Sequence, residues 1–519
     1  MESAQLIGGE ESWYDSLQDG RCAVAEGQDC QHDLSSSARV SKDEVEDVPP
    51  EARGSRERKL RLLLISVVVF LDSMAAKLHS PVVTQYTYQV ITEQVYGNAS
   101  IDVSISAHPC INASDNGTDT SDADSLRDEV QDKSADLLMW LDLADGLIAV
   151  VTNIFLGAYS DTLGRKFILL LPVLGHFLRS LTTPVIIYWD LGLTALYSGY
   201  VIDGICGGSP GIMLGLFVYT ADITPSDKER TLGMALVEMA SGVATAAINY
   251  AAGLFIQETG FFYPSVVSSL LLLICVIVIA CCLPETLPGK QKKVISPVES
   301  ARRMVEVFTS DEDTRKRLLL SLVSLFLAYF AFISISKVNS LNLMNTPFCW
   351  DSTRIGVFEA LRSGVGSLSS IALVGLLQSV VSTPGLTIMG AASSTAFLVL
   401  FGFARTDLMV YMVPVVGFAS TVIFPTIRSM MSRMVTADKQ GAMFGGIAVV
   451  ESVSLAAGPL AVMSLYTHTE AMLHGLTYFC VGGLYLLVIA IFLTFVTFSR
   501  KTHSLSATFL SIQAGDTES

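Results

Sequence analysis

Two glutamates stand inside stretches that are otherwise apolar, Glu238 within residues 231–255 and Glu451 within residues 440–466. Away from water a carboxylate favours its protonated form, so such a group can take up and release a proton. Along a helix, Glu238, Gly242, Thr245 and Asn249 fall at i, i+4, i+7 and i+11, one stripe of polar and small residues on an apolar cylinder. The stripe calls for a water-filled cavity; the other reading of Glu238 is a plain pairing with a neighbouring helix. Arg428, three residues after Pro425, supplies a cation. A guanidinium stays charged and holds an anion in two-pronged fashion, whereas an arginine near a helix end can also snorkel to a polar interface.

Other polar residues fall in apolar runs: Asp72, Lys77 and His79, Asp142 and Asp145, Asp203, and Lys337, Asn339 and Asn342. Asn342 is taken with Asn249 as a substrate-binding candidate. Glu359 and Arg362 form an i, i+3 pair that can satisfy itself. Asp142 and Glu359 lie toward the ends of their runs and are expected at the interface, and His176 and Arg179 are read as packing or interface residues.

The elements that must position these groups are membrane helices. The 519 residues are 51% hydrophobic and 16% charged, against about 25% charged in soluble domains. Twelve apolar runs reach the roughly 20 residues needed to cross a bilayer. They are residues 62–86, 137–159, 167–188, 191–220, 231–255, 262–283, 318–342, 353–379, 384–404, 407–431, 440–466 and 471–498. The net charge of −16 resides mostly outside them, −8 in residues 1–58 and −7 in residues 98–136, so it says little about a ligand.

Charge also orients the chain. Arg53, Arg56, Arg58, Lys59 and Arg61 precede the first run, and Lys290, Lys292, Lys293, Arg302, Arg303, Arg315, Lys316 and Arg317 crowd the sixth connection. Loops of the other face carry only Arg127, Lys133, Arg354 and Arg405, so both termini are expected in the cytosol. Of eight asparagines, only Asn98, Asn112 and Asn116 open an N-x-S/T sequon, and all three lie in the long first loop of the opposite face, where glycosylation occurs. Cys110 shares that loop and Cys349 lies in the seventh connection on the same face. Both fall in an oxidising compartment, where a disulfide between the two halves is expected, the alternative being two free thiols.

Between the second and third runs, Gly157 to Lys166 reads Gly-Ala-Tyr-Ser-Asp-Thr-Leu-Gly-Arg-Lys. Gly157 and Gly164 permit close approach and a sharp turn, and Asp161 and Arg165 sit at facing helix ends. A repeat divides the chain: Gly233-Met-Ala-Leu-Val-Glu238 in the fifth run is echoed by Gly446-Ile-Ala-Val-Val-Glu451 in the eleventh, as parallel six-helix repeats would place them.

The Gly157–Lys166 stretch resembles the G-x-x-x-D-x-x-G-R-K/R loop of the major facilitator superfamily. Ser80-Pro-Val-Val-Thr-Gln-Tyr86, Met234-Ala-Leu-Val-Glu238, Thr346-Pro-Phe-Cys-Trp-Asp351, Pro425-Thr-Ile-Arg-Ser-Met-Met-Ser-Arg433 and Gln440-Gly-Ala-Met-Phe444 look like one branch of it, the proton-coupled folate transporter family or solute carrier family 46. The resemblance implies an all-α membrane protein, twelve transmembrane helices in two pseudo-symmetric six-helix bundles. It further implies import of an organic anion with protons by alternating access, a glycosylated and disulfide-tied first loop, a proton-coupling role for Glu238, and a substrate- and proton-linked role for Arg428. Glu451, as the repeat of Glu238, joins the proton-coupling set. Gly157, Asp161, Gly164 and Arg165 become a cytosolic latch without a partner in the second half, where Gln378 to Gly385 carries no charge. One departure stands out: the seventh-helix histidine of folate-carrying members falls at Phe332, which puts folate itself in doubt.

The expected organisation is an acidic cytosolic tail (1–58), a first bundle (59–283) with a glycosylated loop (88–136), a linker (284–317), a second bundle (318–498) and a C-terminal tail (499–519). No signal peptide is expected, since the first apolar run follows a long acidic stretch. Glu2, Leu6 and Ile7 form an acidic dileucine pattern, and Tyr14 with Leu17 a tyrosine-based one, both of the kind read by sorting adaptors of endosomes and lysosomes. No G-x-x-x-x-G-K-S/T occurs and no serine or histidine has a defensible nucleophile–base arrangement, so neither an ATP-driven pump nor an enzyme is expected. The expected partners are a small organic anion, protons and the bilayer, with no nucleic acid and no cofactor beyond a proton gradient. The alternatives are a lysosomal or endosomal proton-coupled exporter of steroid or bile-acid conjugates, muropeptides or cyclic dinucleotides, and a non-transporting scaffold or receptor. Mid-membrane glutamates argue against the last.

Overall fold

A computed structural model describes residues 50–96, 120–286, 297–309, 312–344, 347–350, 352–436, 439–469 and 475–495. Its first half consists of α1 (Pro50–Tyr96), α2 (Thr120–Leu163), α3 (Arg165–Tyr188), α4 (Leu196–Cys206), α5 (Gly208–Ile223), α6 (Asp227–Thr259) and α7 (Phe262–Cys282). The short α8 (Pro297–Val307) follows. The second half consists of α9 (Glu312–Met344), α10 (Ser352–Leu377), α11 (Thr383–Phe403), α12 (Asp407–Val416), α13 (Ile423–Arg433), α14 (Gln440–Thr469) and α15 (Leu476–Phe495). Twelve stretches among the described residues are long and apolar enough to cross a membrane, α4–α5 and α12–α13 each making one crossing. The expected all-helical, twelve-span architecture is the observed one.

The ends differ from the expected bounds. Helix α1 begins at Pro50 and continues to Tyr96, and α2 begins at Thr120, so residues expected in the tail and in the 88–136 loop are helical. The 284–317 linker likewise contains α8 and the start of α9. Hydropathy marks only the hydrocarbon-crossing part of a helix; polar extensions rich in Glu, Gln and Arg keep their backbone hydrogen bonds in water and carry no apolar signal.

The fourth and tenth crossings, equivalent in a six-plus-six repeat, are both broken midway. Gly207 and Gly208 take φ of 112° and 58°, a region L side chains avoid, and the freed Gly207 carbonyl accepts from Asn153 Nδ2 at 2.9 Å. In the tenth, α12 ends at Gly417, and a 3₁₀ turn over Ser420–Val422 redirects the chain into α13. The break gives the segment carrying Arg428 its own direction.

The two halves meet firmly on the face where α1 begins, here the tail-side face. Gly157 of α2 lies against Gly441 and Gly445 of α14, a small-xxx-small surface where an added Cβ would stand 2.5 Å from the Gly445 Cα. Phe217 and Phe444 stack at 6.3 Å, and Thr231 and Ser429 share a hydroxyl hydrogen bond of 2.6 Å. Arg433 donates to Thr231 at 2.6 Å, and α8 lies across α2 and α14 with Phe308 against Gly446.

The hydrogen bonds described for the Gly157–Lys166 stretch, expected as a latch, lie mostly within the first half. Gly164 adopts φ 106°, and the Glu285 carboxylate caps α3 by accepting from the backbone N–H of Arg165 at 2.8 Å and of Lys166 at 3.3 Å. Arg165 is buried, and its Nε donates to Asp222 of α5 at 2.9 Å and its Nη1 to Ser160 at 2.7 Å. These contacts lie within the first half, and Gly157 of the same stretch meets the second half. The Asp161 side chain lies outside the described residues.

Candidate functional site

Between the halves lies a cavity of about 750 Å³. It extends from mid-molecule toward the far face along the later turns of α1 and α6, which contribute Lys77 to Gln85 and Glu238 to Gly253. All four residues of the expected stripe, Glu238, Gly242, Thr245 and Asn249, line it. Gly242 lets α10 approach: a Cβ there would collide with the Ser367 hydroxyl.

At the tail-side end of the cavity, Arg428 of α13 bridges two glutamates. Its Nη1 donates to Glu238 of α6 in the first half, and its Nη2 to Glu451 of α14 at 2.5 Å. Arg428 and Glu451 are fully buried, whereas the Glu238 side chain is 26% exposed and faces the cavity. The guanidinium lies over the Phe217 ring at 4.5 Å. The Arg428 side chain is thus buried on the two glutamates rather than extended to a polar interface. With both carboxylates ionised the triad carries one net negative charge, and a single proton neutralises it.

The wall beside the triad is aromatic. Phe332 of α9 and Phe424 of α13 meet edge to face at 5.2 Å, and Tyr329 packs on Phe424 at 6.1 Å. Arg362 stands 5.4 Å from the Phe332 centroid and donates to Glu359 at 2.7 Å. Both members of that pair line the cavity, so the interfacial placement expected of Glu359 is corrected.

Asn342 is a second correction. It is buried but does not line the cavity, whereas Ser336 and Ser340 of the same helix do. A step of two residues turns a helical side chain by about 200°, so Asn342 faces away. A third concerns His176 and Arg179, expected as packing or interface residues. They are the centre of an ionic cluster within the first half, with Asp72, Asp145 and Asp203. His176 and Arg179 stand one turn apart on α3, whereas the three aspartates come from α1, α2 and α4, so no spacing within a single helix announces the group.

Cys349 is disulfide-bonded, and Cys206, Cys275, Cys281, Cys282 and Cys480 are free. Cys110, Asn98, Asn112, Asn116 and the sorting patterns at Glu2, Leu6, Ile7, Tyr14 and Leu17 lie outside the described residues.

The profile of the Major Facilitator Superfamily matches residues 65–459. The chain is 26% identical over 439 residues to the lysosomal proton-coupled steroid conjugate and bile acid symporter SLC46A3 of Gallus gallus, covering 83% of this chain and 93% of that protein. It is 25% identical over 422 residues to the proton-coupled folate transporter of Bos taurus, covering 81% and 89%. Among solved structures it resembles the human organic anion transporter MFSD10, at a TM-score of 0.61 and 18% identity, over 86% of this chain and all of that one. The similarity to these two transporters extends the resemblance read from the short motifs across most of the membrane body. With its twelve spans, paired broken crossings and central cavity, the chain belongs to the Major Facilitator Superfamily.

Proposed function

We propose that the protein is a proton-coupled secondary transporter of a small organic anion, working by alternating access. The observation that carries the reading is Arg428, held by one glutamate from each half at the inner end of the cavity. An anion approaching the triad meets one excess negative charge. A proton on Glu238 removes it and frees one arm of the guanidinium for the anion, while Glu451 keeps the other. The Arg428–Glu238 pair spans the halves, so exchanging it for cargo also alters what holds the tail-side face closed.

In this reading the termini are cytosolic and the cavity opens outward or to an organelle lumen, and the proton gradient drives the cycle without a cofactor. Glu238 takes up the coupling proton with Glu451 as the fixed carboxylate of the pair, Arg428 and Asn249 meet the cargo, and Gly157 serves closure while Gly164 and Arg165 hold the turn beside it, with Asp161 as a further candidate. A conjugated steroid or bile acid suits the site better than folate, because Phe332, Phe424 and Tyr329 present a broad apolar wall where folate carriers place a histidine. The similarity to a protein named as a lysosomal symporter of such conjugates, with the sorting patterns at Tyr14 and Leu6–Ile7, supports residence in lysosomes or endosomes over the plasma membrane. No enzymatic activity is proposed.

Uptake of labelled folate, a bile-acid conjugate, a steroid sulfate and a cyclic dinucleotide into cells displaying the protein, at about pH 5.5 and about pH 7.4, tests this. Uptake of the bile-acid or steroid conjugate that is stimulated by acid in the wild type, and no longer depends on pH in Glu238→Gln, is expected. Uptake indifferent both to pH and to that change overturns proton coupling.

A further inference from the structure

Within the first half, away from Arg428, the His176 imidazole sits between two carboxylates. Its Nδ1 is 3.0 Å from Asp72 Oδ1 of α1, and its Nε2 is 3.6 Å from Asp203 Oδ2 of α4. On the Nε2 side, Ser209 Oγ of α5 lies at 3.2 Å. Asp203 is wholly buried, and its Oδ1 has no hydrogen-bond partner among the described residues. Gly175 makes room for it, since a Cβ there would stand 3.1 Å from that Oδ1.

The surrounding charges are few and unbalanced. Arg179, the other cation of the cluster, donates to Asp203 at 3.1 Å and to Asp145 of α2 at 3.5 Å, with its guanidinium 3.8 Å from the Tyr200 centroid. His79 of α1 is buried with both ring nitrogens unpartnered among the described residues. Asp142 of α2 lies within electrostatic range of Arg179 and Asp145, and the Cys275 thiol of α7 lies within electrostatic range of Asp72. Three close carboxylates therefore face one guanidinium, and the imidazole between them is the group placed to supply a second positive charge.

We propose that Asp72, His176 and Asp203 form a second proton-binding site, inside the first six-helix half, whose occupancy is passed to the cavity through Ser209. Asp72, His176 and Ser209 all line the cavity, so water there can deliver the proton. In the neutral state the Ser209 hydroxyl donates to Nε2 while Nδ1–H donates to Asp72. When a proton arrives at Nε2 the imidazolium donates on both sides, and the Ser209 hydroxyl turns from donor to acceptor. The same proton tightens Asp72, on the cavity-lining α1, against α3. The site depends on no particular cargo and does not involve Glu238.

The test is nitrogen NMR of the full-length protein, labelled with 15N-histidine and held in lipid nanodiscs, between about pH 5 and about pH 10. His176→Gln assigns the resonances among the seven histidines; should that variant not fold, Ser209→Ala singles them out by the shift it causes. An imidazolium at acid pH that becomes neutral within this range is expected. Asp72→Asn should lower the charged fraction at a given pH by about threefold or more, and Glu238→Gln should leave it unchanged. A single protonation state throughout the range, neutral or charged, overturns the proposal, as does a titration unaltered by Asp72→Asn.

Discussion

Arg428 and Glu238 belong to opposite halves of the molecule and close their ion pair at the inner end of the cavity, with Glu451 behind the same guanidinium. The two glutamates occupy equivalent places in the internal repeat, yet their surroundings differ. Glu451 is 1% exposed, whereas the Glu238 side chain is 26% exposed and meets the cavity. One carboxylate anchors the arginine and the other can exchange protons with water.

Replacing Glu238 by glutamine keeps the shape of the site and removes its exchangeable charge. Below the range in which the glutamate takes its proton the wild-type carboxyl is neutral, as glutamine always is, so the two proteins should differ least in acid. The acid-to-neutral uptake ratio should fall by about tenfold, toward unity. A pH profile of initial uptake rates for the bile-acid conjugate checks this.

Arg428→Ala leaves Glu451 buried without its cation, at a cost of about 3 to 5 kcal/mol. A marked loss of thermal stability in detergent should follow, read by fluorescence-detected gel filtration after heating. Arg428→Lys should keep most of that stability and still lose transport, because an ammonium cannot hold Glu451 and an anion in the same two-pronged geometry.

Gly157→Val places side-chain atoms on the Gly445 backbone. Overpacking there costs about 1 to 3 kcal/mol and acts only while the tail-side face is closed. Labelling of a cysteine introduced at Ala442, buried on that face, should rise about tenfold relative to the Gly157 protein. Unchanged labelling would show that the glycine contact does not hold the closure.

Phe332→His places beside Arg362 and Phe424 the histidine that the resemblance to folate-carrying members puts at this position. Folate uptake at acid pH should increase about tenfold, while that of a bile-acid conjugate falls as the apolar wall is interrupted. Competition between the two labelled compounds gives the selectivity ratio.

Cys349 is already in a disulfide, and its expected partner is Cys110. Mass mapping of unreduced protein after enzymatic deglycosylation should recover a linked Cys110–Cys349 peptide and mass changes at Asn98, Asn112 and Asn116. Two free thiols at these cysteines would remove the bridge.

Much of the architecture is written in the sequence because the bilayer enforces it. Each crossing must satisfy its own backbone within an apolar segment, so length and hydropathy alone yield twelve spans. The stripe from Glu238 to Asn249 was legible for the same reason: four residues on one helix share a face by the geometry of 3.6 residues per turn. The echo of Glu238 in Glu451 marked two exceptions to apolarity. It could not say that both carboxylates meet on one guanidinium.

That meeting was decided by tertiary packing. The break between α12 and α13 sets the direction of Arg428, and the approach of the halves brings Glu238 to it from 190 residues away. The same dependence hid the cluster around His176, whose members come from α1, α2, α3 and α4 and acquire one another only when those helices assemble. It also decided that Asn342 turns from the cavity while Glu359 faces it, since both depend on the rotation of whole helices about their axes. Sequence determines which groups must be sheltered from lipid; packing determines which of them share the shelter.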